Sequence, residues 1–580
     1  MISIKTPNVK ETMTMVYSTI ERFPLAVISG CIAVFASCYF IDLDYSDEEL
    51  KNTILRLIMV SSLGIAFFTA LKLFAESLQQ AFWRYVLGGI GVAALAVYYY
   101  GMPADLKVVE WVRYILFGII AHLMVSFAPF LPGKSKEGFW RYNKNLFLQI
   151  VTAFFFAMVI YMGLALALLA LDKLFDINFN SKLYLKLFYI VSGIFSMLYF
   201  LGGMPRQQEL YADDEEFSKG LSVFTQYILI PLVGIYNLIL YIYTIKIAIS
   251  WDWPRGWLGY LFISYSALGI LSYLLIYPLA KSGKRALLRI FSKWFFFSLI
   301  PLVVVLFLAI YRRVDEYGLT ENRYFLYLLD FWLLGIAVYF SFFKSKNIKL
   351  VPISLAVVIL LSSFGPWGAF GWSARNQANR FEELIKKAKV GGLSFEERKD
   401  VSSVIQYLGR RKKLSHLQPY FKADIDSLYE HNSSSYAQVL LNEYNINYVN
   451  SWQRDSTAGS SFAYYSIKEN YYLNVGSYDQ FLSYSYGGQS DMLKAGDGQA
   501  LIIDSLNTSI DLKPFISHLR KEHPGGDYEM QPDQLMIEGN NDEISYKIYF
   551  LSLSLRRDSD NNYQAQSLRF NMFFNKKAKK

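Results

Sequence analysis

Long apolar runs alternate with short polar connections over roughly the first 370 residues of the chain. Most runs hold about 20 residues with few charges, which is the length that an α-helix needs to cross a ~30 Å hydrocarbon core. The pattern predicts an all-α polytopic membrane bundle of about eleven spans. These are 23–41, 54–74, 82–100, 111–131, 146–171, 183–203, 223–249, 257–279, 294–311, 325–343 and 350–370.

From residue 371 onward the apolar runs shorten, and Asn, Ser, Tyr and Gly become frequent. Helical spacing of apolar residues extends over 376–415, and a strand-rich region follows over 436–574. The chain from 371 to 580 is long enough for one soluble α+β domain. A helix is expected at 512–523, and strands are expected at 462–467, 471–475, 481–486, 500–504, 546–555 and 567–574.

The charges of the connections predict which way the chain faces. Three connections are rich in Lys and Arg: 132–145, 280–293 and 344–349. With eleven spans, all three lie on the side of the N-terminus, while the acidic connection 42–53 lies on the other side. Because cytoplasmic loops carry the excess of Lys and Arg, we expect residues 1–22 in the cytoplasm and residues 371–580 on the extracytoplasmic side.

The composition supports a membrane protein and argues against a nucleic-acid-binding or disulfide-rich protein. Of 580 residues 53% are hydrophobic and 18% are charged, against about 25% in soluble domains. The net charge of +9 is largely Lys and Arg beside the spans, so we predict a lipid bilayer and no nucleic acid as a partner. The two cysteines, Cys31 and Cys38, both lie in the first apolar run, which excludes a disulfide framework. No cofactor or metal site is predicted.

Two glycine-containing strings look like nucleotide sites but stand in the wrong context. Gly89–Ala94 lies inside an apolar run, where small residues let helices pack closely. Ala128–Ser135 has Ala where a P-loop needs its first Gly, and no strand precedes it. Both are interpreted as parts of the helical bundle.

The connection between the ninth and tenth spans, followed by the exit of the last span, forms the first candidate site. Gly318 suits a turn, and Thr320 is positioned to N-cap the next helix. By parity both stretches face the same side, where Arg and Trp suit phospholipid headgroups or a docked domain. We expect the two stretches to form one site with the C-terminal domain over it. The candidate outer-face residues are Arg312, Arg313, Tyr317, Glu321, Arg323, Trp367, Arg375, Gln377 and Arg380.

Polar groups inside or at the edges of spans form the second candidate site. Such groups tend to face the bundle interior or a wet cavity, because exposure to lipid is costly. They serve either helix packing or a proton, ion or substrate path. The candidates are Asp330, His122, Lys72, Glu76 and Asn237.

Two strings carry a resemblance to a known family: RRVDEYGLTENRYF from Arg312, and GPWGAFGWSARNQANRFEELI from Gly365. Their order and content are similar to those of a bacterial multi-pass membrane family catalogued as the domain of unknown function numbered 4153. The resemblance covers most of the chain. It implies location and topology, namely a bacterial inner membrane with residues 371–580 in the periplasm, and it carries over no catalytic residue.

Three classes of function fit these observations. The first is a non-enzymatic envelope protein whose C-terminal domain binds or senses a partner, such as an envelope protein or a lipid headgroup. The second is a transporter, which should show broken helices around a midplane site; Pro231 and Asn237 hint at one. The third is a membrane enzyme acting on a lipid-linked substrate, although no clear nucleophile accompanies the arginines.

Overall fold

A computed structural model describes most of the chain. The described residues are 9–43, 47–131, 136–206, 219–251, 257–282, 286–344, 346–422, 424–431, 436–450, 462–467, 473, 475–487, 500–503, 506, 508–523, 526–541, 543–557 and 563–577. Most of the predicted strand 471–475 lies outside them, and so do parts of the predicted basic connections, such as 132–135 and 283–285.

The chain packs as two compact units. Unit 1 consists of Met1–Arg380 and Tyr407–Tyr420, and unit 2 consists of Phe381–Gln406 and Phe421–Lys580. The boundary expected from composition, at residue 371, falls within unit 1. The chain therefore passes between the units three times, twice inside a helix.

Unit 1 is a helical bundle, and the predicted fold class is confirmed. Its helices are α1 Val9–Arg22, α2 Pro24–Asp42, α3 Glu48–Ser77, α4 Ala81–Gly101, α5 Val108–Phe127, α6 Lys136–Phe175, α7 Ser181–Gly202, α8 Gly220–Ser250, α9 Trp257–Ser282, α10 Ala286–Tyr317, α11 Glu321–Phe342 and α12 Leu350–Ser362. In the described part of the chain, ten of these, α2 to α11, are long and apolar enough to cross a membrane. The polar N-terminal segment, for which no element was expected, forms the amphipathic α1.

The eleventh predicted span is the short helix α12, with 13 residues. Its length is only about 20 Å at 1.5 Å per residue. Lys349, just before it, approaches the ring of Phe130 at 5.6 Å, and Phe370, after it, lies 5.0 Å from the guanidinium of Arg113. Arg113 and Phe130 mark opposite ends of α5. The short helix and the residues after it thus run the length of α5.

Close packing explains one of the glycine strings. A Cβ added at Gly91 in α4 would lie 2.7 Å from Leu71 and 2.9 Å from Phe68, both in α3. A side chain at this position would force the Leu71 and Phe68 side chains to shift, so glycine favours the close approach of the two helices, as small residues do in membrane bundles. The string 89–94 therefore serves helix packing.

Unit 2 combines helices with a mixed sheet. It contains the second part of α13 Ala369–Gly391, most of α14 Phe395–Arg410, then α15 Ile425–His431, α16 Tyr436–Asn442 and α17 Lys513–Glu522. The strands are β1 Phe462–Ile467, β2 Gln480–Gly487, β3 Ala500–Ile503, β4 Thr508–Asp511, β5 Gly526–Met530, β6 Met536–Asn540, β7 Ile544–Arg557 and β8 Tyr563–Lys576. The sheet order is β2-β8-β7-β1-β5, β6 also pairs with β7, and β3 pairs with β4.

The long strand β7 shows how the core is built. Ile548 and Phe550 are fully buried, and so are Leu553 and Leu555, so the buried positions change parity between the two pairs. A register shift against β8 between Phe550 and Ser552 accounts for this change, because an irregularity in the ladder reverses the face of the residues that follow. Strands β4, β5 and β6 were not expected from the sequence, because they are short and only weakly alternating.

Candidate functional site

The turn between α10 and α11 depends on glycine. Gly318 has φ +70°, a region that residues with a Cβ rarely adopt. A Cβ at this position would also lie 2.6 Å from Nε2 of Gln377 and 3.1 Å from Oδ1 of Asn376. Glycine is therefore favoured at this position for two reasons: the backbone conformation and the close approach of α13. Thr320 occupies the N-cap position of α11, but its side chain forms no capping hydrogen bond, so that expectation was wrong.

Three side chains of α13 hold this turn. Oδ1 of Asn376 accepts a hydrogen bond from the backbone N–H of Leu319 at 2.6 Å. Nε2 of Gln377, a residue only 3% exposed, donates to the carbonyls of Tyr317 at 3.2 Å and Leu319 at 3.1 Å. Arg380 donates to two carbonyls in the last turn of α10. Because the last carbonyls of a helix lack partners within it, α13 acts as the C-cap of α10. We call the contact between residues 317–324 and 366–380 the junction.

Further contacts between residues of the junction itself stabilise its other side. Nη1 of Arg323 donates to the carbonyl of Tyr317 at 3.1 Å, and its guanidinium lies 5.5 Å from the Tyr317 ring centroid. The hydroxyl of Tyr324 donates to the carbonyl of Trp367 at 3.1 Å, and Arg375 donates to the carbonyl of Pro366. The two stretches singled out in the sequence are thus in contact, mostly through side chains that hold the backbone.

A buried ion pair connects the junction to Arg411, just after α14. A carboxylate oxygen of Glu321 lies 2.6 Å from Nε of Arg411, and Glu321 is 5% exposed. The Arg411 guanidinium also stacks 3.8 Å from the ring centroid of Tyr407. Burial raises the pKa of the Tyr407 hydroxyl. Sequence reasoning missed Tyr407 and Arg411, because no local pattern relates Arg411 to a partner 90 positions earlier.

A groove beside the junction is lined by two of the predicted arginines, one of which also belongs to the junction. Arg313 and Arg323 line a groove of about 520 Å³ between α9, α10 and α11, whose deeper wall includes Leu306, Ile310 and Leu326. Arg312 is exposed. The groove therefore has a cationic end and an apolar body, so it is complementary to an amphiphilic molecule with an anionic end.

The candidate intramembrane residues do not form one site. Of the five, only Lys72 and Glu76 contact each other among the described residues, at 3.8 Å. The main partner of Glu76 is Arg22, whose Nε and Nη2 donate to the two carboxylate oxygens of Glu76, at 3.2 and 2.9 Å. Nη1 of Arg22 also donates to the carbonyl of Met204 at 2.8 Å. This group ties the ends of α1, α3 and α7 together, and sequence reasoning had not connected Arg22 with it.

The other three lie apart from that group. Nδ2 of Asn237 in α8 donates to the hydroxyls of Tyr265 in α9, at 2.5 Å, and Ser298 in α10, at 3.1 Å. His122 is exposed, and within the described part of the chain its one hydrogen bond is to its own helix, with Nδ1 2.7 Å from the carbonyl oxygen of Gly118. Asp330 is 1% exposed, and its Oδ1 has no hydrogen-bond partner among the described residues. Asn237 thus joins three spans, while Asp330 is a buried carboxyl group of unassigned role.

The family described as "Domain of unknown function (DUF4153)" matches residues 29–401. This range is more than half of the chain, and it contains both stretches of the junction. The chain belongs to this family. The DUF4153 match begins within α2 and ends within α14, so the strands of unit 2 lie beyond it.

An uncharacterized protein of Pasteurella multocida (strain Pm70) is similar to this DUF4153 protein. The two are 24% identical over 478 residues, which cover 79% of this chain and 77% of the relative. No solved structure matches the chain. The comparisons therefore give the family, and they attach no activity to it.

Proposed function

We propose that this DUF4153 protein is a non-enzymatic protein of the bacterial inner membrane, in which a binding or sensing domain is coupled to the membrane body. In this proposal residues 1–22 are cytoplasmic, 23–370 form the membrane domain, and 371–580 are periplasmic. The partner is an envelope protein or a lipid headgroup.

The junction is the observation that supports coupling. Asn376, Gln377 and Arg380 fix the start of α13 to the turn between α10 and α11, and the same helix continues past residue 380 into the chain of unit 2. A continuous helix resists bending because its hydrogen bonds are internal. A change in unit 2 that moves α13 would therefore act on the ends of α10 and α11.

The chemistry of the junction favours a positioning role over catalysis. Catalysis requires a nucleophile, a base and charge-stabilising groups that converge on one reacting atom. Here Asn376, Gln377, Arg323 and Arg380 are directed at backbone groups of the turn. A lipid headgroup at the groove beside Arg313 fits the binding role, and it is also where a lipid-linked substrate of the alternative enzyme would lie.

A transporter remains the second candidate because of one observation. Residues Ile190–Phe195 in α7 and Phe224–Leu229 in α8 are π-helical, so two consecutive spans are interrupted. Such interruptions often mark functional sites. Asn237 lies further along the second of these spans.

Coupling is tested by hydrogen exchange of the full-length protein in nanodiscs. Gln377→Leu removes both hydrogen bonds to the turn, and Gln149→Leu is the matched control, because Gln149 bonds one carbonyl, of Tyr199, elsewhere in unit 1. We expect faster exchange both at 317–320 and along 381–391 in Gln377→Leu, and at neither place in the control. Faster exchange at 317–320 with unchanged exchange at 381–391 would contradict coupling.

Orientation is tested separately by reporter fusions in the connections 132–145 and 312–324 and after residue 380. We expect the first to report the cytoplasm and the other two the periplasm. Opposite sides for 312–324 and the C-terminal region would contradict the proposed topology.

A further inference from the structure

A second cavity lies between α3, α4, α5 and α12. Its volume is about 570 Å³, and its wall is nearly all apolar, with Leu63, Phe67, Leu95, Phe117 and Leu360 among the lining residues. Val97, which also lines it, is 74% exposed on the bundle surface. In a membrane this side faces lipid, so the cavity is open to the bilayer.

One end of the cavity is polar. Tyr98, Glu110 and Arg113 line it beside Gly101, where α4 ends and α5 is about to begin. Helix ends lie near the surface of the bilayer, which is the level of phospholipid headgroups. A ligand in this cavity would therefore place its apolar part among the helices and its polar part at the interface.

Two polar atoms at this end lack a partner. The Nε atom of Arg113 and the hydroxyl of Tyr98 are both buried, and neither has a hydrogen-bond partner among the described residues. Buried polar groups in proteins are nearly always paired, because leaving one unpaired costs free energy. The Oε2 atom of Glu110 accepts from the backbone N–H of Lys107 at 3.0 Å, and among the described residues Glu110 forms no hydrogen bond to either of these two atoms. The opposite face of Arg113 is covered by Phe370, 5.0 Å away.

We propose that this cavity binds one acyl chain of a glycerophospholipid, whose phosphate accepts hydrogen bonds from Arg113 and Tyr98. The volume falls within the range of about 300–1,000 Å³ that is usual for ligand pockets. A guanidinium is always charged and its N–H groups match phosphate oxygens, so it prefers phosphate to a neutral headgroup. This site does not depend on unit 2, and it is separate from the function proposed above.

Two variants probe the site from its two ends. Gly101→Leu fills the cavity, because an added Cβ meets no heavy atom within 4 Å and the position lines the wall. Gly89→Leu is its matched control, since it lies in the same helix, is equally open and does not line the cavity. Arg113→Gln removes the charge, and Arg84→Gln, at an exposed position of α4, is its control.

The assay is photo-crosslinking of the full-length protein in nanodiscs with phosphatidylethanolamine that carries a diazirine on one acyl chain. We expect labelling of peptides containing residues 94–98 and 360–364, reduced about tenfold or more by Arg113→Gln, because a hydrogen bond to a charged group contributes about 1.5–3 kcal/mol. Gly101→Leu should reduce it similarly, and both controls should retain it.

A second probe separates phosphate recognition from simple filling of an apolar space. Diacylglycerol with the same diazirine chain lacks the phosphate, so its labelling of these peptides should be weak and unaffected by Arg113→Gln. Equal labelling by the two probes would overturn the proposal. Unchanged phosphatidylethanolamine labelling in both Gly101→Leu and Arg113→Gln would overturn it as well.

Discussion

Replacing Arg411 with Met removes the guanidinium that pairs with the buried carboxylate of Glu321 at 2.6 Å. Breaking a buried pair from one side leaves an uncompensated charge and costs about 3–5 kcal/mol. The Arg411 side chain is 18% exposed, so water can reach the site in part, and we expect the lower end, about 3 kcal/mol. Met keeps an unbranched apolar stem against Tyr407, which limits the loss of packing.

The double variant distinguishes the charge from the packing. In Glu321→Met with Arg411→Met, both charges are gone and two apolar side chains take their place. Replacing a buried ion pair by apolar residues of similar volume is often close to neutral. The double variant should therefore be more stable than Arg411→Met alone, and the coupling free energy of the mutant cycle should be about 2 kcal/mol or more.

The measurement is unfolding of the full-length protein by SDS in mixed micelles, followed by tryptophan fluorescence; the chain has 11 Trp. Lys412→Met is the matched control, because the neighbouring Lys412 pairs with Asp105 at 3.8 Å and both side chains are about half exposed. An exposed pair contributes at most about 1 kcal/mol. If Arg411→Met costs no more than Lys412→Met, or if the two single effects simply add, the buried pair does not stabilise unit 1 as argued.

Three further outcomes follow from the same structure. Gly318→Ala should lower the free energy of unfolding by about 2 kcal/mol or more, and by more than Gly392→Ala does. Both glycines have positive φ, but of these two only Gly318 has no room for a Cβ. Equal losses of stability in SDS unfolding would show that the steric contact at Gly318 contributes nothing. Asn237→Leu should lower stability by only about 1 kcal/mol; loss of cellular function at unchanged stability would favour the transporter instead. The Lys387 ammonium and a backbone N–H hold the pKa of Glu397 at about 2, below the ordinary 4.5. The stability that ionised Glu397 contributes is therefore present above about pH 4.5 and is lost as the pH falls towards 2. The melting temperature of Glu397→Gln should consequently fall less than that of the wild type as the pH is lowered from 4.5 to 2.

The junction illustrates how far the sequence could be interpreted. Gly318 and the polar residues after residue 364 marked two stretches, and parity placed them on one side of the bundle. Neither signal revealed that Gln377 and Arg380 bind the carbonyls at the end of α10. Arg411 could not be found at all, since it is 90 positions from Glu321 and lies in a segment that returns to unit 1 after leaving it.

For the intramembrane polar residues, the sequence indicated that each needs a partner but did not identify the partner. A polar side chain within an apolar run signals a partner, because lipid offers none, but the run does not say which partner. Glu76 pairs with Arg22 from another helix, Asn237 bridges to Tyr265 and Ser298, and His122 bonds within its own helix. Treating such residues as one site was therefore an overestimate of what composition can tell.

The sequence by itself determined the fold class, ten of the eleven expected spans and the strand-rich C-terminal region, because the lengths of apolar runs and their periodicity are local and follow directly from the bilayer and from backbone geometry. The tertiary structure decided which side chains meet: the capping of α10 by α13, the Glu321–Arg411 pair and the unpartnered polar end beside Arg113. These contacts join residues that are distant in the chain. Their free energies depend on burial and distance, which exist only once the helices have packed.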